Sequence, residues 1–188
     1  MSRSVVVLWS GGLDSTVLLE KARQDGRLHT ALWFRYPHPA NSYEYTAAEK
    51  MRRTMPDLPY VELAAPLFGT DALATGIGTP GPRVVPGRNA VFISLAVNYA
   101  AATGADEVWF GANREDAADY PDCRLAFIDA MNIASRPFGV HVFAPLMHST
   151  RAQILKDAAR LGVDPAACWS CYEPRDGKPC GECNSCRQ

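Results

Sequence analysis

The sequence lacks three features that would each define a class of protein. No apolar run among the 188 residues approaches the roughly 20 residues that a membrane-spanning helix needs, so we expect no transmembrane segment. The 19 lysines and arginines nearly balance the 20 aspartates and glutamates, so no basic surface indicates a nucleic acid or an anionic membrane as the partner. The apolar part of the N-terminal segment is too short for a signal peptide, so we expect a cytoplasmic protein.

Cysteine is scarce over the first 167 residues, where only Cys123 occurs, and five more cysteines follow. In a reducing compartment this clustering favours metal binding over disulfides. The last four cysteines form a C-x8-C-x2-C-x2-C pattern at Cys171, Cys180, Cys183 and Cys186. Four thiolates at such spacings suit tetrahedral Zn²⁺ and leave no open position, so we expect a structural site. Cys168 makes a further C-x2-C with Cys171 and is an alternative ligand.

Predicted strands and helices alternate over most of the chain. The strands are 5–9, 29–36, 58–63, 107–111 and 140–146, and the helices are 14–23, 42–55, 90–102, 125–135 and 150–162. Five such units predict an α/β fold with a doubly wound, parallel, five-stranded sheet. A Gly- and Pro-rich loop is predicted over 69–89, with one helical turn near 71–74. We expect an α/β domain over 1–163 and a zinc-binding tail over 164–188 packed on it.

The segment LWSGGLDSTVLL (8–19) lacks the lysine that most phosphate-binding loops carry. It joins the first strand to the first helix, where doubly wound sheets bind ligands. Its glycines let backbone N–H groups approach an anion, and the helix N-terminus adds a favourable dipole. It matches neither Walker A, whose lysine serves transfer of the γ-phosphoryl group, nor the dinucleotide fingerprint, so this loop leaves room for cleavage elsewhere on the nucleotide. The candidate nucleotide-binding residues are Ser10, Gly11, Gly12, Leu13, Asp14, Ser15 and Thr16.

The six residues SGGLDS (10–15) resemble the pyrophosphate loop of the N-type ATP pyrophosphatases, which share a Rossmann-like fold. The resemblance implies that ATP is cleaved to AMP and pyrophosphate. The loop then grips the departing pyrophosphate while a substrate oxygen attacks the α-phosphorus. Asp14 is a catalytic candidate for orienting Mg²⁺. The alternative is an ordinary acidic residue in the first turn of a helix.

Four further segments resemble the QueC family of 7-cyano-7-deazaguanine synthases over most of the chain. They are VPGRN (85–89), YPDCR (120–124), SCY (170–172) and the spaced cysteines. The resemblance implies a ligase that uses ATP and ammonia to turn 7-carboxy-7-deazaguanine into the nitrile by way of the amide. Adenylation makes the carboxylate oxygen a leaving group, and a second ATP can activate the amide oxygen. The same analogy implies a homodimer, through the apolar 90–102 helix or the tail.

Within these segments Arg88 is the candidate for neutralising a phosphate or the substrate carboxylate, and we also count it as catalytic. The alternative is a surface arginine beside a helix N-terminus. Asn89 is a candidate substrate ligand or a helix cap. Asp122 could accept hydrogen bonds from a guanine-like edge, or it could cap the helix that follows it.

The segment 111–127 carries the remaining candidates. Asp116 is a catalytic candidate and, like Asp119, could bind Mg²⁺, although a solvated loop would carry such residues too. Tyr120 is expected to stack on the substrate base. Arg124 is expected to meet the substrate carboxylate, and its alternative is plain exposure at the start of a helix.

The segment YPHPANSYEY (36–45) departs from the YGQRH-like stretch of the family, and the chain is shorter than its typical members. Both departures leave open a relative that stops at the amide or conjugates the activated deazaguanine to a macromolecule, as in a phage or defence setting. A tRNA thiolase using Cys123 and Cys168 is a further alternative, against which the missing basic face argues. A zinc-held interaction module would not need an intact SGGLDS loop.

Overall fold

The computed structural model describes residues 2–68 and 84–187. Its strands are β1 Val5–Leu8, β2 Leu28–Arg35, β3 Tyr60–Ala64, β4 Glu107–Trp109 and β5 His141–Phe143. Its helices are α1 Leu13–Gln24, α2 Asn41–Thr54, α3 Arg88–Thr103, α4 Asp116–Asp119, α5 Leu125–Ser135, α6 Arg151–Leu161 and α7 Asn184–Arg187. All ten predicted strands and helices occur, with small shifts at their ends. The predicted turn near 71–74 and most of the predicted loop over 69–89 lie outside the described residues.

The five strands form one sheet in the order β3-β2-β1-β4-β5, and each neighbouring pair is parallel. The chain builds β1, β2 and β3 outward and then crosses back to place β4 and β5 on the other side of β1. The direction of winding therefore reverses between β1 and β4. In such sheets a crevice opens at the carboxyl ends of the two strands flanking the reversal. The predicted doubly wound, Rossmann-like α/β fold is confirmed.

Alternation of side chains along the central strands divides the core into two layers. Val5 and Val7 of β1 pack in one buried cluster with residues of α1 and α6. Val6, which points to the opposite face, packs in the second cluster with Ile93 of α3 and Ile128 of α5. Both faces of the sheet are therefore covered, as a parallel sheet requires. None of the helices in the two described ranges is long and apolar enough to cross a membrane.

The start of α6 is fixed by a reciprocal capping box. The Thr150 side chain accepts a hydrogen bond from the backbone N–H of Gln153, whose side chain accepts one from the Thr150 N–H. This arrangement satisfies two of the N–H groups that a helix start leaves unpaired. It also places Arg151, the first residue of α6, at the carboxyl edge of the sheet.

The tail returns to the sheet after α6. A 3-10 turn over Pro165–Ala167 reverses the chain. The backbone N–H of Trp169 then donates to the carbonyl of Gly11, at 3.0 Å, in the loop after β1. The cysteine-rich segment is thus bonded directly to the loop that carries the SGGLDS motif.

Candidate active site

The loop between β1 and α1 is pressed against the backbone of α2. Gly11 has φ +83°, a conformation that side chains rarely adopt. A Cβ atom at Gly11 would lie 3.1 Å from both the Glu44 carbonyl oxygen and the Ala48 nitrogen. Both conformation and space therefore demand glycine here.

Hydroxyl groups brace this loop from inside. The Ser15 Oγ donates to the Gly12 carbonyl at 3.1 Å and lies 3.1 Å from the Ser10 Oγ. The Thr16 Oγ1 donates to the same carbonyl at 2.8 Å and accepts from the Trp9 indole N–H at 3.0 Å. Thr16 is buried, so its hydroxyl supports the loop from the core side.

A pocket of about 220 Å³ opens at the carboxyl ends of β1, β2 and β4, at the reversal of the sheet order. Five of the seven predicted loop residues line it: Ser10, Gly12, Leu13, Asp14 and Ser15. Of the predicted catalytic and substrate residues it includes Arg88, Asn89, Asp116 and Tyr120. Gly11 and Thr16 are not among the lining residues.

Asp14 is held at the pocket by two partners. Its Oδ1 is 3.0 Å from Nη1 of Arg151, and its Oδ2 accepts a hydrogen bond from the Asn113 side-chain amide at 3.1 Å. Burial raises the pKa of Asp14, although the Arg151 guanidinium and the Asn113 amide both favour its charged form. The ion pair is mostly buried, since the side chains of Arg151 and Asp14 are 20% and 21% exposed. The Asp14 carboxylate is therefore only partly accessible to water.

Asp116 is linked to Asp14 by Asn113, which forms hydrogen bonds with both residues. The Asn113 backbone N–H donates to Asp116 Oδ2 at 3.3 Å, and the Asp116 N–H donates back to Asn113 Oδ1 at 2.9 Å. Burial, followed by the charge of Asp14, raises the pKa of Asp116 to about 6. A buried carboxyl group whose ionisation is disfavoured by a neighbouring carboxylate fits a place where a divalent cation would compensate both charges.

Asp116→Asn is expected to stabilise the nucleotide-free protein at neutral pH while lowering its activity. The raised pKa means that stability from this group is complete below about pH 4 and is lost as pH rises through about 6. At pH 7.5 the charged form costs at most about 3 kcal/mol, which a neutral asparagine avoids. Melting curves without Mg²⁺ or nucleotide should show the variant's advantage growing from pH 4.5 to 7.5. An advantage equal at all pH values would contradict this reading.

Arg88 projects from the first turn of α3 into an aromatic corner of the pocket. Its Nη1 donates to the Tyr36 hydroxyl at 3.2 Å, and Tyr172 of the tail lines the same corner. Burial raises the pKa values of Tyr36 and Tyr172, so both phenols stay neutral beside the guanidinium. The Phe34 and Phe92 rings stack nearby, 4.3 Å apart and nearly parallel. The corner offers one positive charge among flat apolar surfaces.

Neither Asn89 nor Asp122 is the N-cap of the helix that it was predicted to cap. Gly87 is the N-cap of α3, and Asn89 lies inside the first turn, where its side-chain amide donates to the Asp122 carbonyl at 3.4 Å. The Asp122 carboxylate accepts from the Asn89 backbone N–H at 3.4 Å, at the start of α3 and not of α5. Asp122 lies in a 3-10 turn over Pro121–Cys123, just before α5. Asp122 is not among the residues that line the pocket.

The two other substrate candidates lie outside the pocket lining. Asp119 accepts a hydrogen bond from the Asn184 side chain of α7 at 3.1 Å, which ties the tail to the segment after β4. Arg124 is exposed, and its Nε donates to the Ala117 carbonyl at 3.1 Å. Contact between these side chains and a substrate stays a prediction.

The four cysteines of the tail converge. The Sγ atoms of Cys171, Cys180, Cys183 and Cys186 all lie within 4.8 Å of one another. A single tetrahedral ion with metal–sulfur bonds of about 2.3 Å separates its ligands by about 3.8 Å, close to the 4.0 Å between two of these sulfurs. A four-iron cluster would hold them further apart, because each sulfur binds a different iron. The donor set fits one metal ion.

Backbone N–H groups turn toward the sulfurs, as in a site made for thiolates. Those of Glu182 and Cys183 donate to Cys180 Sγ at 3.4 and 3.3 Å. Burial opposes ionisation, yet these two bonds, together with hydrogen bonds from the Cys171 and Cys183 side chains, bring the pKa of Cys180 down to about 6. Cys168 lies outside the cluster, and its thiol donates to the Asp164 carbonyl at 3.6 Å. The structure thus favours the set of four without Cys168.

Neither cysteine proposed for a thiolase has the environment of a nucleophile. Burial raises the pKa of Cys123 to about 12, and burial also raises the pKa of Cys168. Reactive thiolates instead have lowered pKa values and electropositive surroundings. These surroundings do not support catalysis by either thiol.

Sequence reasoning missed several pocket residues. The most consequential is Arg151, which was predicted only as part of a helix. An arginine in the first turn of a helix opposes the helix dipole, and this mismatch is the signal that could have found it. Glu44, which also lines the pocket, and Asn113, which holds Asp14 and Asp116, gave no such signal, since single polar residues in helices and loops are common.

The protein is an ATP-using α/β protein of the N-type ATP pyrophosphatase (PP-loop) class. This class is defined by the fold, by the pyrophosphate-type loop at the sheet reversal and by the paired carboxylates. The model of the family described as queuosine biosynthesis protein QueC matches residues 4–188. A 7-cyano-7-deazaguanine synthase of Rhizorhabdus wittichii is 40% identical over 206 aligned residues, covering 98% of this chain and 88% of the relative. The chain belongs to the QueC family.

Solved structures support the fold at low sequence identity. NMN synthetase from Francisella tularensis aligns with a TM-score of 0.59 and 17% identity, covering 97% of this chain and 71% of its own. The U34-tRNA thiolase NcsA from Methanococcus maripaludis, solved with its [4Fe-4S] cluster, gives 0.56 and 14%, covering 95% and 62%. At such identities the likeness shows the shared architecture alone.

Proposed function

We propose that this protein is a 7-cyano-7-deazaguanine synthase, a ligase that converts 7-carboxy-7-deazaguanine and ammonia to the nitrile through the adenylated acid and the amide. Membership of the QueC family along nearly the whole chain carries the proposal. The reaction also suits the pocket, which combines an anion-binding loop, a carboxylate pair and an aromatic corner with one arginine. No observation favours the amide-only, conjugating or thiolase alternatives.

The loop and the carboxylates serve ATP. The N–H groups of Gly12 and of the first turn of α1 would bind the pyrophosphate, and the α1 N-terminus would add its dipole. Asp14 and Asp116 would hold Mg²⁺, whose charge would offset that building up on the leaving phosphates. Arg151, beside Asp14, supplies a second cation for the same phosphates. Arginine is well suited to binding phosphate oxygens in pairs.

The aromatic corner serves the deazaguanine. Tyr120 and Phe92 line the pocket and offer apolar surfaces to a flat heterocycle. Arg88 would neutralise the substrate carboxylate. After adenylation it would neutralise the phosphate of the acyl adenylate instead. Asp122 and Arg124 would reach the substrate only if the segment after β4 moves inward on binding.

The four cysteines would hold Zn²⁺ as a structural ion, with the tail over 164–188 acting as a small unit packed on the 1–163 domain. A full set of four protein ligands leaves no coordination position for substrate. Such an ion contributes to folding, because its ligands are scattered in the unfolded chain. We further place the enzyme in the cytoplasm, with small-molecule substrates and no nucleic acid.

We also propose a homodimer through the outer faces of α3 and α5. Beyond Arg88, α3 carries no charged residue, and α5 carries only Asp129. Ile133 of α5 is 63% exposed and Val91 of α3 is 40% exposed, although surface helices normally turn charged residues outward. Such a patch is typical of an interface.

Ile133→Glu is expected to shift the dimer toward monomer by at least about tenfold in dissociation constant, because it places a charge in an apolar contact. Light scattering across a dilution series measures the change. Leu155→Glu, at an exposed apolar position of α6 on the other face, is the matched control and should leave the mass unchanged. A monomeric wild-type protein at micromolar concentration would refute the proposed interface.

The test of function is mass spectrometry of the products formed from Mg-ATP, ammonia and 7-carboxy-7-deazaguanine. We expect the nitrile, with AMP and pyrophosphate formed in proportion. Amide alone would mean that the second activation has been lost, and the altered 36–45 segment would be the first place to look. Absence of any ATP-dependent product from this acid would overturn the assignment.

A further inference from the structure

The tail residue Trp169 contacts both candidate centres of the protein. Its backbone N–H donates to the Gly11 carbonyl at 3.0 Å, and its indole N–H donates to the Cys171 carbonyl at 2.9 Å. Its ring stacks on Tyr43 of α2, with centroids 4.7 Å apart and planes 19° apart. One residue thus contacts the nucleotide loop through its backbone, and a metal ligand and α2 through its half-buried side chain.

The bond to Gly11 controls a donor group of the nucleotide site. The Gly11 carbonyl and the Gly12 N–H belong to one planar trans peptide unit, so they point in opposite directions. A hydrogen bond that draws the Gly11 carbonyl toward the tail therefore turns the Gly12 N–H away from the tail. That N–H now donates to Ser10 Oγ at 3.3 Å, a long bond that an anion can replace.

Close packing adds to this control. A Cβ atom at Gly12 would meet the Trp169 carbonyl oxygen at 3.4 Å, so both the N–H and the carbonyl of Trp169 lie close to the loop. Gly11 has no side chain to restrict its conformation and has φ +83°. A loop of two glycines needs an outside support to hold one conformation, because glycine has the largest conformational entropy to lose.

We propose that Trp169 couples metal binding at the four cysteines to nucleotide binding at the SGGLDS loop. The metal fixes Cys171, Cys171 fixes the indole of Trp169, and Trp169 fixes the peptide unit whose N–H faces the phosphates. Trp169 is a positioning residue, since it acts through Gly12. The inference rests on the proposed binding of ATP and a metal, but not on the deazaguanine substrate.

Thermodynamic reciprocity gives the test, because a metal that tightens nucleotide binding must itself be held more tightly when nucleotide is bound. The metal-loaded full-length protein is mixed with a colorimetric chelator, with and without the Mg²⁺ complex of a non-hydrolysable ATP analogue. We expect the analogue to raise the chelator concentration that removes half of the metal by about tenfold in wild type, within the usual range for coupled sites. In Trp169→Ala the same analogue should raise this concentration less than about twofold.

Two further variants separate coupling from general damage. Trp169→Phe keeps the backbone bond and the stacking on Tyr43 but loses the indole donor, so it should retain analogue affinity while losing most of the effect on the metal. Tyr43→Leu removes only the stacking partner and should weaken analogue binding with one metal ion still bound. Equal protection of the metal by the analogue in wild type and Trp169→Ala would overturn the proposal, as would its absence in wild type. A failed product assay with intact coupling would refute the proposed substrate alone.

Discussion

Asp14→Ala is expected to lower the rate of ATP turnover by about 10²–10³-fold or more, the usual loss when a group that balances developing charge is removed. Asp14 is the loop carboxylate that faces both Asp116 and Arg151 in the pocket. Without it, Mg²⁺ would lose a ligand and Arg151 would lose its partner. Pyrophosphate release in the presence of Mg-ATP, ammonia and the carboxylic acid measures the effect.

Two substitutions make this expectation specific. Asp14→Asn keeps the size of the side chain and an acceptor for Arg151 but removes the charge, so it should be nearly as inactive. Asp25→Ala removes an exposed aspartate just after α1 and should keep full activity. The metal content of the tail should stay at one equivalent in all three variants. Loss of metal together with activity in Asp14→Ala would mean that the residue has a structural role instead.

The fold was predictable because its causes are local. The run VVVL of β1 and the apolar spacing in α1 and α3 each mark an element without reference to the rest of the chain. Even the parallel sheet follows from the alternation of strands and helices. The strand order, by contrast, depends on which side of β1 the chain returns to after β3, and no local pattern encodes that choice.

The site was predictable only where its chemistry is contiguous in sequence. The SGGLDS loop and the cysteine spacing were found because neighbouring residues form each of them. The pairing of Asp14 with Arg151 joins residues 137 positions apart, and their meeting depends on α6 packing beside α1. Even within the loop, sequence could not show that Thr16 turns its hydroxyl into the core.

Cys183→Ser is expected to abolish stoichiometric metal binding and with it most ATP turnover, at least about 10²-fold if the tail supports the loop as proposed. Cys183 is one of the two buried ligands, so its loss leaves three thiols around a vacancy inside the tail. Losing a structural ion removes folding free energy directly. We expect the melting midpoint to fall by about 10 °C, since each kcal/mol of lost stability lowers it by about 2–4 °C in a chain of this size.

Cys168→Ser is the matched control, because it changes a thiol of the same tail that lies three residues from Cys171 but outside the cluster. It should keep one equivalent of metal and activity within about twofold of wild type. Elemental analysis, melting curves and pyrophosphate release on both variants separate the possibilities. Metal loss in Cys168→Ser with retention in Cys183→Ser would show that Cys168 is a ligand and that the tail is arranged differently around its ion. If both variants keep the metal, the bound ion is not held by these four sulfurs. Any support that the tail gives to the loop must then come from Trp169 and its neighbours, independently of the metal.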